Sequence, residues 1–282
     1  MIGKIRFLHI PKTAGTTFDE CLFRQYLGPY LLRRQFVFSG NFAADQQRLG
    51  AMSGAALERI AICTGHAPLQ TGCAQIDSLP TVTLLRHPVE RVMSLCRHIS
   101  EGKSPQIYSP AEHGAFDLDT LLGSGRIQLN NFQSRMVLGE RGYALPPGSD
   151  LALAARAMAL LTSRCSCFGL TGELDRSLLL FQRVLGWRTW PLYRSRNTSN
   201  PQVPLRFEAR HIARIEELNQ LDLAFYELAR EAFFKRWQEQ GPELEAALPR
   251  FQSALAKPQP QFAVIDLARK VGRWGRVLLR RP

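Results

Sequence analysis

The sequence predicts an α/β fold: a parallel β-sheet flanked by helices, P-loop-like at its first turn, with a mainly helical C-terminal part. Three observations predict it. Short runs rich in apolar and β-branched residues alternate with helical patterns through the first half of the chain, the mark of successive βαβ units. The run at 81–85, Thr-Val-Thr-Leu-Leu, is apolar or β-branched throughout, as a strand covered on both faces must be. From Glu208 onward the pattern is mainly helical. At 282 residues the chain can form one large domain of this class. We read 1–256 as that domain and 257–282 as a linker and a basic amphipathic helix.

Taken in order, residues 4–10 read as the first strand, which Pro11 ends by removing a backbone donor. Thr16 and Thr17 open a helix running to Tyr26. A short strand is expected at 36–39, and a helix at 55–59 leads into the apolar run 60–64. After the strand at 81–85, Pro88 starts a helix to about His98, a position where proline is tolerated. Residues 102–114 hold Lys103, two prolines and several polar residues, and read as a surface loop, either a plain connection or a lid or substrate loop. Helices are expected at 127–138 and 151–162, a strand at 165–170, a helix at 174–185, and a polar loop at 194–204. There is no internal repeat or low-complexity tract.

The hydrophobic content, 45%, is ordinary for a soluble globular protein. The net charge of +12, from 36 basic and 24 acidic residues, favours an anionic partner: nucleotide, nucleic acid, acidic glycan or anionic membrane surface. With no basic–aromatic repeat or named nucleic-acid motif, nucleic acid is not expected. The six cysteines (Cys21, Cys63, Cys73, Cys96, Cys165 and Cys167) include no Cys-x-x-Cys pair and no zinc spacing, so they read as reduced structural thiols. Cys165 and Cys167 suit one face of a buried strand. No signal peptide and no apolar run of about 18 residues is present, from which a cytoplasmic location is expected.

Ligands of such sheets bind at the carboxyl ends of the strands, and three segments fall there. The first is Pro11-Lys12-Thr13-Ala14-Gly15-Thr16-Thr17-Phe18. Its free amides and the positive end of the following helix suit phosphate or sulfate. Lys12 adds a point charge and the threonines add donors. It is not a Walker A loop, because Lys12 precedes Gly15 instead of following the glycines. In the second, Arg86 ends a strand and Ser94 lies eight residues on, two turns into the helix. A planar charged fork and a neutral hydroxyl suit one phosphate. Arg91 between them reads either as part of that site or as a surface salt bridge. In the third, His66 follows Gly65 directly after an apolar run, and a neutral imidazole there suits proton removal from a hydroxyl. His9, inside the first strand, reads as structural; His98 and His113 carry no motif.

These motifs resemble sulfotransferases that use 3'-phosphoadenosine 5'-phosphosulfate (PAPS), closest to the carbohydrate branch of heparan sulfate 2-O-sulfotransferases and their bacterial relatives. Asn131-x-Gln133-Ser134-Arg135 with Leu138-Gly139, and Phe168-Gly169-Leu170-Thr171-Gly172-Glu173, extend the likeness over roughly residues 5–230. The resemblance implies that Lys12, Thr13, Ala14, Gly15, Thr16 and Thr17 cradle the phosphosulfate, with Lys12 acting on the leaving group. It implies that Arg86 and Ser94 hold the 3'-phosphate, that His66 is the general base, and that a late loop closes over the nucleotide, with Arg194, Arg196, Thr198 and Ser199 as candidates. His87 stands where the family commonly has Asp. The family's animal members are Golgi-anchored, whereas this chain reads as a bacterial cytoplasmic enzyme. PAPS is then the donor, PAP the product, and no metal is required. The acceptor expected is a carbohydrate or glycolipid hydroxyl. The alternatives are a peptide tyrosine, or a non-catalytic protein that binds nucleotide or polyanion through the same loops. In the tail, Ile265, Ala268, Val271, Trp274 and Leu278 recur at helical spacing opposite Arg269, Arg273, Arg276 and Arg280. That helix suits either an anionic membrane surface or packing on the domain.

Overall fold

The computed structural model describes residues 3–109, 114–139, 143–146, 148–194, 205–259 and 262. The tail helix expected beyond Phe262, and His113, lie outside them.

Among the described residues five strands form one sheet: β1 (Ile5–Leu8), β2 (Gln35–Phe38), β3 (Ile62–Gly65), β4 (Thr81–Leu85) and β5 (Cys167–Leu170). Their order is β2-β3-β1-β4-β5 and every pairing is parallel. β1, β3, β4 and β5 are buried at every position, because helices cover both faces, whereas edge strand β2 alternates. The strand expected at 165–170 starts two residues later, since Cys165 ends the preceding helix. All six cysteines are free thiols. Burial pushes Cys63, Cys96, Cys165 and Cys167 up to about 12, which keeps them as unreactive thiols.

The helices that place the site are α1 (Gly15–Gln25) after β1 and α6 (Pro88–Ser100) after β4. Short helices α2 (Leu27–Leu31), α3 (Phe42–Gly50), α4 (Gly54–Glu58) and α5 (Ala74–Asp77) fill the crossovers between them, and α7 (Leu118–Gly123) lies beyond α6. The helix expected over 127–138 is broken into a 3-10 turn, Ile127–Leu129, and α8 (Phe132–Leu138). The break falls at Asn131, whose φ of 46° is left-handed and cannot continue a helix. α9 (Asp150–Arg164) and α10 (Leu174–Leu185) flank β5. α11 (Ala209–Leu218), α12 (Gln220–Glu239) and α13 (Pro242–Ala256) form the helical C-terminal part. No helix among the described residues is long and apolar enough to cross a membrane.

The main core lies between the sheet, α1, α8, α9, α10 and α12. Phe18, fully buried, stands edge-on to Phe7 of β1 at 4.5 Å and to Phe181 of α10 at 5.2 Å. Burying such a side chain is worth roughly 2–3 kcal/mol, and here it fixes the first turn of α1 against the strand that precedes it. Arg6, buried in central β1, donates to the carbonyls of Leu69 and Pro68 and pairs with Asp77 at 3.1 Å. A lone buried guanidinium would be costly; satisfied in this way it pins the chain that follows His66.

Candidate functional site

β1, β3 and β4 are neighbours, so the loops that leave their carboxyl ends are neighbours too. After β1 the backbone alternates in hand. Lys12 (φ 70°) and Ala14 (φ 64°) are left-handed, with Thr13 between them. Such alternation turns successive N–H groups toward one concave point suited to an anion, and each left-handed non-glycine costs on the order of 1 kcal/mol or more. Thr13 is fully buried and its hydroxyl donates to the Ile10 carbonyl, so it closes the loop and leaves only its main chain for a ligand. Gly15 opens α1. A Cβ there would lie 1.8 Å from Nε2 of His9, so only glycine lets the imidazole rest on the helix start. Thr16 is exposed and Thr17 is buried.

α1 and α6 both begin at this edge without a side-chain cap: Ala14 and His87 occupy the cap positions and make no cap bond. By contrast Asn41, Ser53, Asp117 and Ser149 cap α3, α4, α7 and α9. The two open N-termini add to the positive field. Lys12 has a lowered pKa, first through burial and then through the charges of Arg86 and Lys103. Crowded cations in a concave, uncapped loop fit a polyanionic ligand, whose charge would relieve their repulsion.

Arg86 reaches across to the loop, donating to the Lys12 carbonyl at 3.3 Å, and pairs with Glu90 at 3.3 Å. The loop and the strand-end arginine thus meet as expected from sequence. Ser94, half-buried two turns into α6, has a hydroxyl without a partner among the described residues. Arg91 is not a surface residue: it is fully buried, donates to the Gln128 carbonyl, and lies 5.8 Å over the Phe132 ring. His87 faces the edge of Tyr226 at 5.5 Å.

His66 is held by the same loop. Gly65 has φ 108°, and a Cβ there would sit 2.3 Å from the Phe38 carbonyl, so glycine is required for β2 to approach. The His9 amide donates to the Gly65 carbonyl, and His66 Nδ1 lies 2.8 Å from the His9 carbonyl. A carbonyl only accepts, so Nδ1 carries the proton and Nε2 keeps its lone pair. Tyr143 donates to the His66 carbonyl at 3.0 Å, bracing the turn. Burial lowers the His66 pKa, with the His9 carbonyl pulling the other way, so the ring is neutral near pH 7.

His9 stacks on Phe7, lies 4.5 Å from the His66 ring, and is 3.7 Å from Asp19, which also accepts from Thr64. Burial, then the nearby His66 and Lys12, lower its pKa from 6.5 to about 3. The unfolded chain then binds a proton that the fold excludes between those values. Stability from this source is full above pH 6.5 and is lost as pH falls, by up to about 1.4 kcal/mol per pH unit. Thermal midpoints from pH 7 to 5 should therefore fall less steeply for His9→Asn than for the native chain; parallel curves would contradict this.

His98 has no role from sequence, and Lys103 stands only as part of the 102–114 loop. His98 and Lys103 come close enough to Lys12 for their charges to be felt, and both lower or are lowered by it. The start of the loop after α6 therefore borders the site. Arg194 pairs with buried Glu20 of α1 at 2.8 Å and covers the Phe262 ring at 4.3 Å. Arg196, Thr198 and Ser199 lie outside the described residues. Among the described residues, no three His, Cys, Asp or Glu side chains come together to hold a metal.

No protein-family model matches the chain. It is 26% identical over 275 residues to heparan-sulfate 6-O-sulfotransferase 3-B of Danio rerio, covering 83% of this chain and 64% of that protein. It is 27% identical over 184 residues to heparan-sulfate 6-O-sulfotransferase 1 of Homo sapiens, covering 56% and 44%. The chain is thus similar in sequence to carbohydrate sulfotransferases. A third sulfotransferase of this kind, heparan-sulfate 6-O-sulfotransferase 2 of Gallus gallus, is 26% identical over 281 residues, covering 83% of this chain and 68% of its own. These relatives are 6-O enzymes by name, where the motifs pointed to the 2-O group of the same carbohydrate branch. The chain spans less than two thirds of the length of the first two relatives. Its α/β architecture, parallel sheet and helical C-terminal part are those expected of a sulfotransferase fold.

Proposed function

We propose that the protein transfers the sulfuryl group of PAPS to a hydroxyl of a carbohydrate or glycolipid, with His66 as general base. The observation that carries this reading is the meeting of three loops on adjacent strands: Arg86 bonds the Lys12 carbonyl, and His66 bonds the His9 carbonyl three residues before Lys12. An anion cradle, a phosphate clamp and a neutral imidazole then share one edge. The names of the relatives support a glycan as the acceptor.

PAPS supplies an activated sulfuryl group whose departure leaves a phosphate. The uncapped start of α1 and the loop amides of 12–17 hold the phosphosulfate, and Lys12 neutralises charge gathering on the leaving phosphate. Arg86 and Ser94 hold the 3'-phosphate and so fix the nucleotide along β4. His66 Nε2 takes the acceptor's hydroxyl proton, and the His9 carbonyl stabilises the resulting imidazolium through Nδ1. As in phosphoryl transfer, most of the catalysis is positioning and charge neutralisation.

The test is incubation with sulfur-labelled PAPS and separated pools of polysaccharide, glycolipid and peptide acceptors. Label is expected in a carbohydrate-bearing pool and absent from it with His66→Ala. Tight PAP binding with no transfer to any pool would reject the enzyme and leave a nucleotide-binding protein. Label in the peptide pool alone would reject the carbohydrate acceptor.

A further inference from the structure

The Asn131–Arg135 segment has a geometry that its resemblance to a family motif does not explain. Gln133 is fully buried on the first turn of α8. Its side chain forms a two-bond clamp on the main chain of Arg86: the Arg86 amide donates to Oε1 at 2.9 Å, and Nε2 donates to the Arg86 carbonyl at 2.7 Å. Gln133 thus mimics a neighbouring strand just where β4 has ended and the peptide would otherwise be free to turn. The peptide it clamps is the one from which the Arg86 guanidinium is aimed.

Gln133 is itself fixed from α12. The buried carboxylate of Asp222 accepts from the amides of Gln133 (3.0 Å) and Ser134 (2.7 Å) and from the Ser134 hydroxyl (2.6 Å). In return Asn131 Oδ1 accepts from the Asp222 amide, and Asn219 Oδ1 accepts from the Asn131 amide. Two helix N-termini therefore cap each other across about 90 residues of chain, which explains the left-handed Asn131 and the helix break. Buried Arg91 supplies the countercharge to Asp222.

We infer that Gln133, set by the Asn131–Asp222 cross-cap, is a positioning residue that aims Arg86 and so determines preference for a nucleotide carrying a 3'-phosphate. This rests on the reading of Arg86 as the 3'-phosphate ligand. A misplacement of about 1 Å at such a ligand can cost on the order of 100-fold.

The experiment measures affinities of the full chain for PAP and for 5'-AMP, which lacks the 3'-phosphate, by titration calorimetry. Gln133→Met keeps the bulk and removes both bonds. It is expected to lower the PAP:AMP preference by about 10- to 100-fold, with AMP affinity little changed. A general loss of structure would instead weaken both nucleotides alike. Ser134→Ala removes one Asp222 bond and should give a smaller shift in the same direction, which covers the case in which Gln133→Met does not fold. Arg86→Ala is the reference. If it abolishes the preference while neither Gln133→Met nor Ser134→Ala moves it, the positioning role is overturned and the donor-site reading stands. If Arg86→Ala leaves the preference intact, the donor-site reading fails and takes this inference with it.

Discussion

Replacing His66 with Ala is expected to lower kcat by about 1000-fold, within the range attributed to a positioned general base, while PAP binds as before. The two parts of this expectation have separate causes. The imidazole touches His9, through its Nδ1 bond to the carbonyl and its ring contact, so its removal takes away the Nε2 lone pair without removing Lys12, Arg86 or the loop amides. The pH profile gives an independent check. Burial lowers the His66 pKa below its ordinary 6.5. The neutral, base-competent form therefore already predominates at that value, and kcat/KM should fall as pH drops through a point below 6.5. An acid limb at or above 6.5, or near-native turnover in His66→Ala, would remove His66 from the base role.

The second large effect is expected at Lys12. Lys12→Ala should cost about 100- to 1000-fold in kcat, the scale of losing one preorganised charge-stabilising donor, and should also weaken PAPS. On the proposed reading both steps suffer, because Lys12 would neutralise charge in the bound donor and more charge in the transition state. Its half-buried ammonium, already destabilised by burial and by Arg86 and Lys103, gains from a polyanion more than an exposed lysine would. Steady-state rates over a PAPS series, with PAP competition, separate the two effects. Unchanged PAPS affinity and rate in Lys12→Ala would reject the anion-loop assignment.

How legible was this in the sequence? The strands were, because their residues are buried on both faces and read as continuous apolar runs; β4 falls at the residues expected, 81–85. The positions of Lys12, His66 and Arg86 at one edge of the sheet were legible because each follows such a run. Helices α3 and α7 were not read, although Asn41 and Asp117 mark their starts as caps. Both are short, and their apolar pattern is too brief to show a period. The break at Asn131 and the burial of Arg91 were not legible at all. The break depends on α12, some 90 residues away, and Arg91 is covered by Gln128 and Phe132, about 40 residues on; local pattern carries no trace of partners so distant. Thr13 looked like a ligand by its hydroxyl, but the tightness of the loop turns that hydroxyl back onto Ile10.

The strand order β3-β1-β4 has a consequence for the shape of the reaction. On the proposed reading, base, leaving-group loop and nucleotide anchor stand on three consecutive strands, spaced about 4.8 Å apart. The sheet then works as a ruler laid along the line of transfer. The donor lies from β4 to β1, and the acceptor oxygen arrives from the β3 side. An acceptor chain would run past the β2–β3 edge, on the opposite side of the β1 loop from the nucleotide anchor. Changes in loops at that edge would alter which hydroxyl is chosen without loosening the grip on the donor, so acceptor choice and donor binding can diverge independently.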